Sequence, residues 1–266
     1  MPDLTAQIAA LEFSGTIGFY AQRDDGLAFG YNELEIFPAA SIIKLHLLIV
    51  ALQEVERGAL RLETRIALPQ EEIVAGSGIL QKLEVGALLT LRDYLTLMII
   101  VSDNTATNMV IDVLGGREKI NAQLETWGLG ATRVIGKLML PIERKNPDQL
   151  AGKLAEIKPK EVVQVLAALH SGKLLGAEMT TLAFEILGKQ EYTEMIGRLL
   201  PEGVKTATKS GQIMGVRNDV GLVQGKNHSY VVALCSKGCT DPRYHIDNEG
   251  VWALAKLSKI IYDTMQ

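Results

Sequence analysis

Residues 204–236 read VKTATKSGQIMGVRNDVGLVQGKNHSYVVALCS, and this stretch decides the fold. Within it 204–209, 219–224 and 229–236 alternate or run apolar, as strands do, and Gly225-Lys226-Asn227 supplies the turn between the last two. Three strands in hairpin order pair antiparallel. Beyond them, residues 248–265 place Val251, Leu254, Leu257, Ile260 and Ile261 at helical spacing, so a last helix can cover one face of that sheet. The opposite end of the chain has matching character. Thr16-Ile17-Gly18-Phe19-Tyr20 and Leu27-Ala28-Phe29-Gly30-Tyr31 flank Arg23-Asp24-Asp25-Gly26, a hairpin signal, after a short amphipathic helix over 2–12 with Leu4, Ile8 and Leu11 on its apolar face.

Between these ends the period changes from two to 3.6. Residues 41–57, 91–101, 105–114, 117–127, 159–170 and 178–187 read as helices punctuated by Gly or Pro. Thr90-Leu91-Arg92-Asp93 fits a capping-box start, Gly115-Gly116 a helix stop, and Pro159 a first helical turn. Strands at both ends with helices between them predict an α+β fold, in which a five-stranded antiparallel sheet from distant segments is flanked by helices and a helical lobe is inserted. One domain is expected over 1–266, with an α/β lobe from 1–38 and 190–266 and a helical lobe from 39–189. Its ligand site is expected in the crevice between the lobes.

Composition narrows the function classes. With 266 residues, 47% hydrophobic and 22% charged, the chain can bury a large core without staples. Its 27 basic and 31 acidic residues are interspersed and sum to −4, so no nucleic-acid partner is expected. No apolar run approaches the roughly 18 residues that span a bilayer, so no membrane insertion is expected. Met1-Pro2-Asp3-Leu4-Thr5-Ala6-Gln7 has neither a basic head nor an apolar core, so the chain as written reads as cytoplasmic, or as periplasmic or extracellular if an export signal was trimmed. Cys235 and Cys239 make no disulfide framework, and the four His have no ligand-like spacing, so neither a metal nor any other cofactor is expected.

Three short motifs carry chemistry. In Ser41-Ile42-Ile43-Lys44 the hydroxyl and the amine lie one helical turn apart, where an unprotonated lysine can take the serine proton and the helix N-terminus favours a developing oxyanion. About one S-x-x-K match is expected by chance in such a chain, and a first-turn serine is ordinarily a cap. Ser102-Asp103-Asn104 sits on a short helix-helix connection; each residue is a favoured cap, yet the tripeptide is expected only about 0.05 times by chance. Lys209-Ser210-Gly211 ends a strand, where a lysine ordinarily guards an edge. The three in this order, at a helix head, between helices and on a strand, are expected by chance well under about one time in a hundred.

With these motifs the chain resembles the penicillin-recognising serine enzymes, above all class A β-lactamases and small penicillin-binding proteins, whose third motif is K-T-G where Ser210 stands here. The resemblance covers nearly the whole chain and implies the β-lactamase/transpeptidase-like fold. It implies Ser41 as the acylated nucleophile, Lys44 in the proton relay and Ser102 as donor to the leaving nitrogen. It also implies Asn104 on the substrate's side-chain amide, Lys209 with Ser210 and Gly211 at its carboxylate, and backbone N–H groups of Ser41 and Gln212 as the oxyanion hole. Arg217 is a candidate second carboxylate partner. The implied ligand is a β-lactam or a D-Ala-D-Ala peptide bound by a monomer.

The pattern breaks in one loop. Class A enzymes hydrolyse the acyl-enzyme with a glutamate in E-P-x-x-N, and residues 136–149, GKLMLPIERKNPDQ, contain no such spacing. Anchoring on Arg144 and Pro147 puts Asn146 at the glutamate's place; anchoring on Thr132-Arg133 puts Leu138 or Met139 there. Glu143 is a possible substitute base, though its ordinary reading is a solvated loop residue. A missing base implies slow deacylation, worth about 10²- to 10⁴-fold. Three functions follow: a penicillin-binding acyltransferase or D-alanyl peptidase, an active β-lactamase with a non-standard base, or a non-catalytic sensor of β-lactams or cell-wall peptides.

Overall fold

The computed structural model describes residues 4–266, so the first positions of the helix expected over 2–12 lie outside the described residues; helix α1 runs Leu4–Ala9. The chain divides into two compact units. The first comprises the residues up to Ile42, Glu156–Ala168 and Tyr192–Gln266; the second comprises Ile43–Ala155 and Leu169–Glu191.

The first unit is built on the expected five-stranded antiparallel sheet. Its strands are β1 (Thr16–Arg23), β2 (Ala28–Tyr31), β3 (Lys205–Ile213), β4 (Val216–Gln224) and β5 (Ser229–Lys237), in the order β2-β1-β5-β4-β3. The N-terminal β1 therefore pairs with the C-terminal β5, Phe19 opposite Leu234, and β3 is an edge strand. β4 begins three residues before the expected 219, because Val216, Arg217 and Asn218 pair with Ile213, Gln212 and Gly211 of β3 although their polar side chains read as loop. Its residues 216–223 are all buried.

One face of the sheet packs on α1 and on α9 (Glu249–Met265), whose first turn is capped by Asn248 Oδ1 accepting from the N–H groups of Gly250 and Val251. Phe19, Val223, Val232 and Leu234 meet Ile8, Val251, Leu254, Leu257 and Ile261 in a single cluster. Each such aliphatic burial stabilises the unit by about 1.5–3 kcal/mol. Segment 156–168 joins this unit because Phe37-Pro38 pairs with Ile157-Glu156. Ala39–Ile42 also falls here, whereas the sequence reading began the helical lobe at 39.

The second unit is helical: α2 (Ile43–Glu56), α3 (Leu91–Ile100), α4 (Asn104–Val113), α5 (Arg117–Thr126), the short α6 (Pro147–Leu150) and α8 (Ala177–Leu187). Helix α7 (Pro159–His170) crosses from the first unit into the second. α2 is buried on all sides throughout 43–53, Lys44 and His46 included, and it packs on α3, α4, α5 and α8. The capping box at Thr90 and Asp93 starts α3. Among the described residues no helix is long and apolar enough to cross a membrane, and no cluster of three metal-ligating side chains occurs.

Candidate active site

Each unit carries part of the chemistry. In the second, Ser102-Asp103-Asn104 links α3 to α4 with all three residues buried. Asp103 caps α4 through Oδ1, which accepts from the Ala106 N–H (2.9 Å). Its Oδ2 accepts from the N–H groups of Ile79 (2.7 Å) and Leu80 (2.9 Å), tying down the preceding loop. That loop comes so close that a Cβ on Gly78, at φ +108°, would lie 2.2 Å from Asp103 Cγ. Ser102 adopts φ +52°, a left-handed conformation that a non-glycine residue holds only under constraint. Against this connection lies the fully buried Lys44: Nζ donates to Ser102 O (2.7 Å), Ser102 Oγ (3.1 Å) and Asn104 Oδ1 (2.9 Å). One amine thus engages two of the three residues of the S-D-N motif.

In the first unit Ser41 lies on a single 3₁₀ turn, Ala40–Ile42, immediately before α2 rather than within its first turn. Edge strand β3 runs beside that turn. A Cβ on Gly211 would sit 3.0 Å from Ser41 N, so glycine lets the strand approach the Ser41 backbone amide this closely. Asn218 on β4 holds the same turn from behind: Nδ2 donates to Pro38 O (2.8 Å) and Ala39 O (3.3 Å), while Oδ1 accepts from the Ser236 N–H (3.0 Å). Lys209 is fully buried and donates to Ser210 O (2.5 Å). Burial lowers Lys209 to about 7, partly offset by the charge of Asp219, and burial raises Asp219 to about 7.

Arg217 is fully buried, and its guanidinium donates to the carbonyls of Ile213 (2.9 Å), Val216 (2.8 Å) and Arg243 (2.7 Å) beneath the Tyr244 ring. Its donors fasten the turn between β3 and β4 and the segment before α9. Glu143 is exposed on a one-turn 3₁₀ segment, Ile142–Arg144. Asn146 caps α6 and donates to Ile135 O. The residue that α4 grips in this loop is Leu138: Asn108 Oδ1 accepts from its N–H (2.7 Å) and Asn108 Nδ2 donates to its carbonyl (3.0 Å). Arg144 and Lys137 fasten the rest through Glu72. Asn108, Asn218 and Gly78 escaped the sequence reading because no motif marks them; their partners lie far along the chain. Cys235 and Cys239 are both free and buried, and burial pushes both thiols up.

Against known proteins, the family model described as "Beta-lactamase enzyme family" matches residues 3–265. The chain belongs to this family. Among its relatives, β-lactamase CARB-4 of Pseudomonas aeruginosa is 24% identical, over 97% of this chain and 88% of that protein. Among solved structures, a β-lactamase from Sphaerobacter thermophilus superposes with a TM-score of 0.87 at 29% identity, covering 98% of this chain and 96% of that one. PBP-A superposes with a TM-score of 0.87 at 27% identity, covering 99% and 96%. A leucine-to-glutamate mutant of PBP-A, solved as an acyl-enzyme complex with penicillin G, is 26% identical with a TM-score of 0.84, covering 98% and 96%. This β-lactamase-family chain is a serine hydrolase with the α+β fold of class A enzymes.

Proposed function

We propose that the protein is acylated at Ser41 by β-lactams and releases the acyl group slowly, as a penicillin-binding or D-alanyl-peptidase-like enzyme. The observation that carries this reading is the grip of Asn108 on the backbone of Leu138, which fixes an apolar residue at this point of the loop. A PBP-A relative, a leucine-to-glutamate mutant solved as an acyl-enzyme complex with penicillin G, supports the acylation step by analogy.

In the proposed reaction Ser41 Oγ attacks the lactam carbonyl and its proton passes to Lys44, three residues along the chain. The tetrahedral oxyanion is held by the N–H groups of Ser41 and Gln212. As the C–N bond breaks, the leaving nitrogen takes a proton from Ser102 Oγ, which Lys44 Nζ resupplies across 3.1 Å. Asn104 receives the side-chain amide; Lys209 and Ser210 receive the carboxylate. Arg217, whose donors already meet three backbone carbonyls, shapes this end of the site instead of meeting substrate. Without a carboxylate at Leu138, no side chain there positions water for the ester, and Glu143 stays in solvent.

A second reading, efficient hydrolysis, is favoured by the names of the β-lactamase relatives. Intact mass followed after mixing with benzylpenicillin, with loss of β-lactam absorbance in parallel, separates the two. A lasting one-to-one adduct at Ser41 is expected. Many turnovers without an adduct would mean a working lactamase, and no adduct with no turnover would mean a binding-only module.

A further inference from the structure

The loop that Asn108 grips also bounds a cavity that the acylation reading leaves unused. Ile43 and Leu47 stand one turn apart on α2, Thr107 and Ile111 one turn apart on α4, and each pair faces the cavity. Residues 134–140 and 145–155 complete its wall. Its volume is about 430 Å³, within the range of about 300–1,000 Å³ typical of small-molecule sites. Gly152 adds to the opening, since a Cβ there would meet nothing within 4 Å.

The lining has two chemical characters. Leu47, Ile111, Val134 and Leu140 are buried aliphatic walls. Met139 and Leu154, which also line the cavity, are 59% and 54% exposed, so apolar surface continues from the interior to the lip. The charged residues of the lining are Lys137, Lys145 and Lys153, with no acid among them. Lys137 is held by Glu72 and Asp112, and Lys153 by Asp148. Lys145 is exposed, and its ammonium makes no ion pair or hydrogen bond among the described residues. The neutral polar groups are committed: Thr107 Oγ1 donates to Asp103 O (2.6 Å) and Gln149 Nε2 donates to Lys137 O (2.7 Å). What remains is an aliphatic chamber with one unengaged cation at its rim.

We propose that this cavity binds a straight-chain carboxylate of the fatty-acid class, its tail among the aliphatic walls and its carboxylate against Lys145. A neutral amphiphile would leave that ammonium unpaired, a cationic one would meet three lysines, and a compact polyanion would find no free donor inside. None of Ser41, Lys44, Ser102 and Lys209 lines the cavity, so the site stands or falls without the acylation reading. Leu138 does line it, so a bound tail would back the loop that Asn108 holds.

Isothermal titration of the full chain with dodecanoate at low ionic strength tests the proposal. One saturable site per chain is expected, with octanoate weaker by about tenfold or more because its tail buries less surface. Dodecyltrimethylammonium has the same tail and the opposite charge, and should bind about tenfold more weakly than dodecanoate or worse. Lys145→Glu should weaken dodecanoate by about three- to tenfold, whereas Lys173→Glu, at an exposed lysine outside the lining, should leave it unchanged. Ala155→Trp fills the chamber and should abolish dodecanoate binding. If that variant does not fold, Leu154→Asp at the exposed lip takes its place and should weaken dodecanoate by about tenfold or more. No saturable binding of dodecanoate, or binding unaltered by the filling or lip variant, overturns the site. Equal binding of the two amphiphiles, or an equal effect of Lys145→Glu and Lys173→Glu, overturns the carboxylate assignment.

Discussion

The two units prepare their chemical groups in opposite ways. In the helical unit the polar groups are saturated, since the Lys44 amine reaches three oxygens of the Ser102 to Asn104 connection and Asp103 is tied by three N–H groups. In the sheet unit charge is left in reserve. Lys209 donates to the backbone of its neighbour, and Asp219 and Glu194 each keep a buried oxygen without a donor. Saturated groups favour a fixed relay, because every change of position breaks a hydrogen bond. Lys209, which makes one side-chain hydrogen bond among the described residues, favours capture, because an arriving anion can accept from its remaining N–H groups.

The largest effect is expected where saturation is greatest. Lys44→Ala removes the amine that donates to Ser102 and Asn104 and should abolish labelling by penicillin; normal labelling would show that the relay runs without it. Leu138→Glu puts a carboxylate where Asn108 holds the loop, and should raise deacylation by about 10²- to 10⁴-fold, read as a shortened adduct lifetime. An unchanged lifetime would place the water elsewhere. Gly78→Ala forces a Cβ onto Asp103 at a positive φ, and should lower stability by about 1–3 kcal/mol in a denaturant titration, with slower acylation. Wild-type stability at Gly78→Ala would mean that this loop is held more loosely than its two bonds to Asp103 imply.

The smallest effect belongs to the sheet unit and is a slope. The folded protein keeps the Asp219 proton up to about 7, whereas the unfolded chain releases it near about 3.9. Between those values the folded state binds more protons, so stability falls as pH rises through the window. Asp219→Asn should flatten that part of the melting-temperature profile; the same slope in the variant would assign it to another group.

What the sequence made legible was local. The three motifs are contiguous, and the strand and helix periods placed them correctly at a helix head, between helices and on a strand. Hairpin spacing marked the neighbours at each end of the chain, whereas the pairing of β1 with β5 joins strands too far apart for any hairpin signal. Residues 216–218 read as loop because Arg and Asn there are polar, yet both are buried: one donates to carbonyls, the other bridges β5 to the turn before Ser41. Asn108 and Gly78 act through partners 30 and 25 residues away, which no period or cap signal encodes. The loop register stood open between Asn146 and Leu138 or Met139 for the same reason, since only the grip of Asn108 singles out one position.

The pairing of β1 with β5 also bears on how the chain is made. A ribosome delivers Thr16–Arg23 more than two hundred residues before the strand that flanks it, while α2 to α5 emerge as one contiguous stretch. At about 5–20 residues per second, β1 and β2 must wait some tens of seconds as an incomplete ribbon with an open edge. The helical unit can collapse first, and the sheet closes last, in a long-range step that slows folding and leaves this edge to be shielded during synthesis.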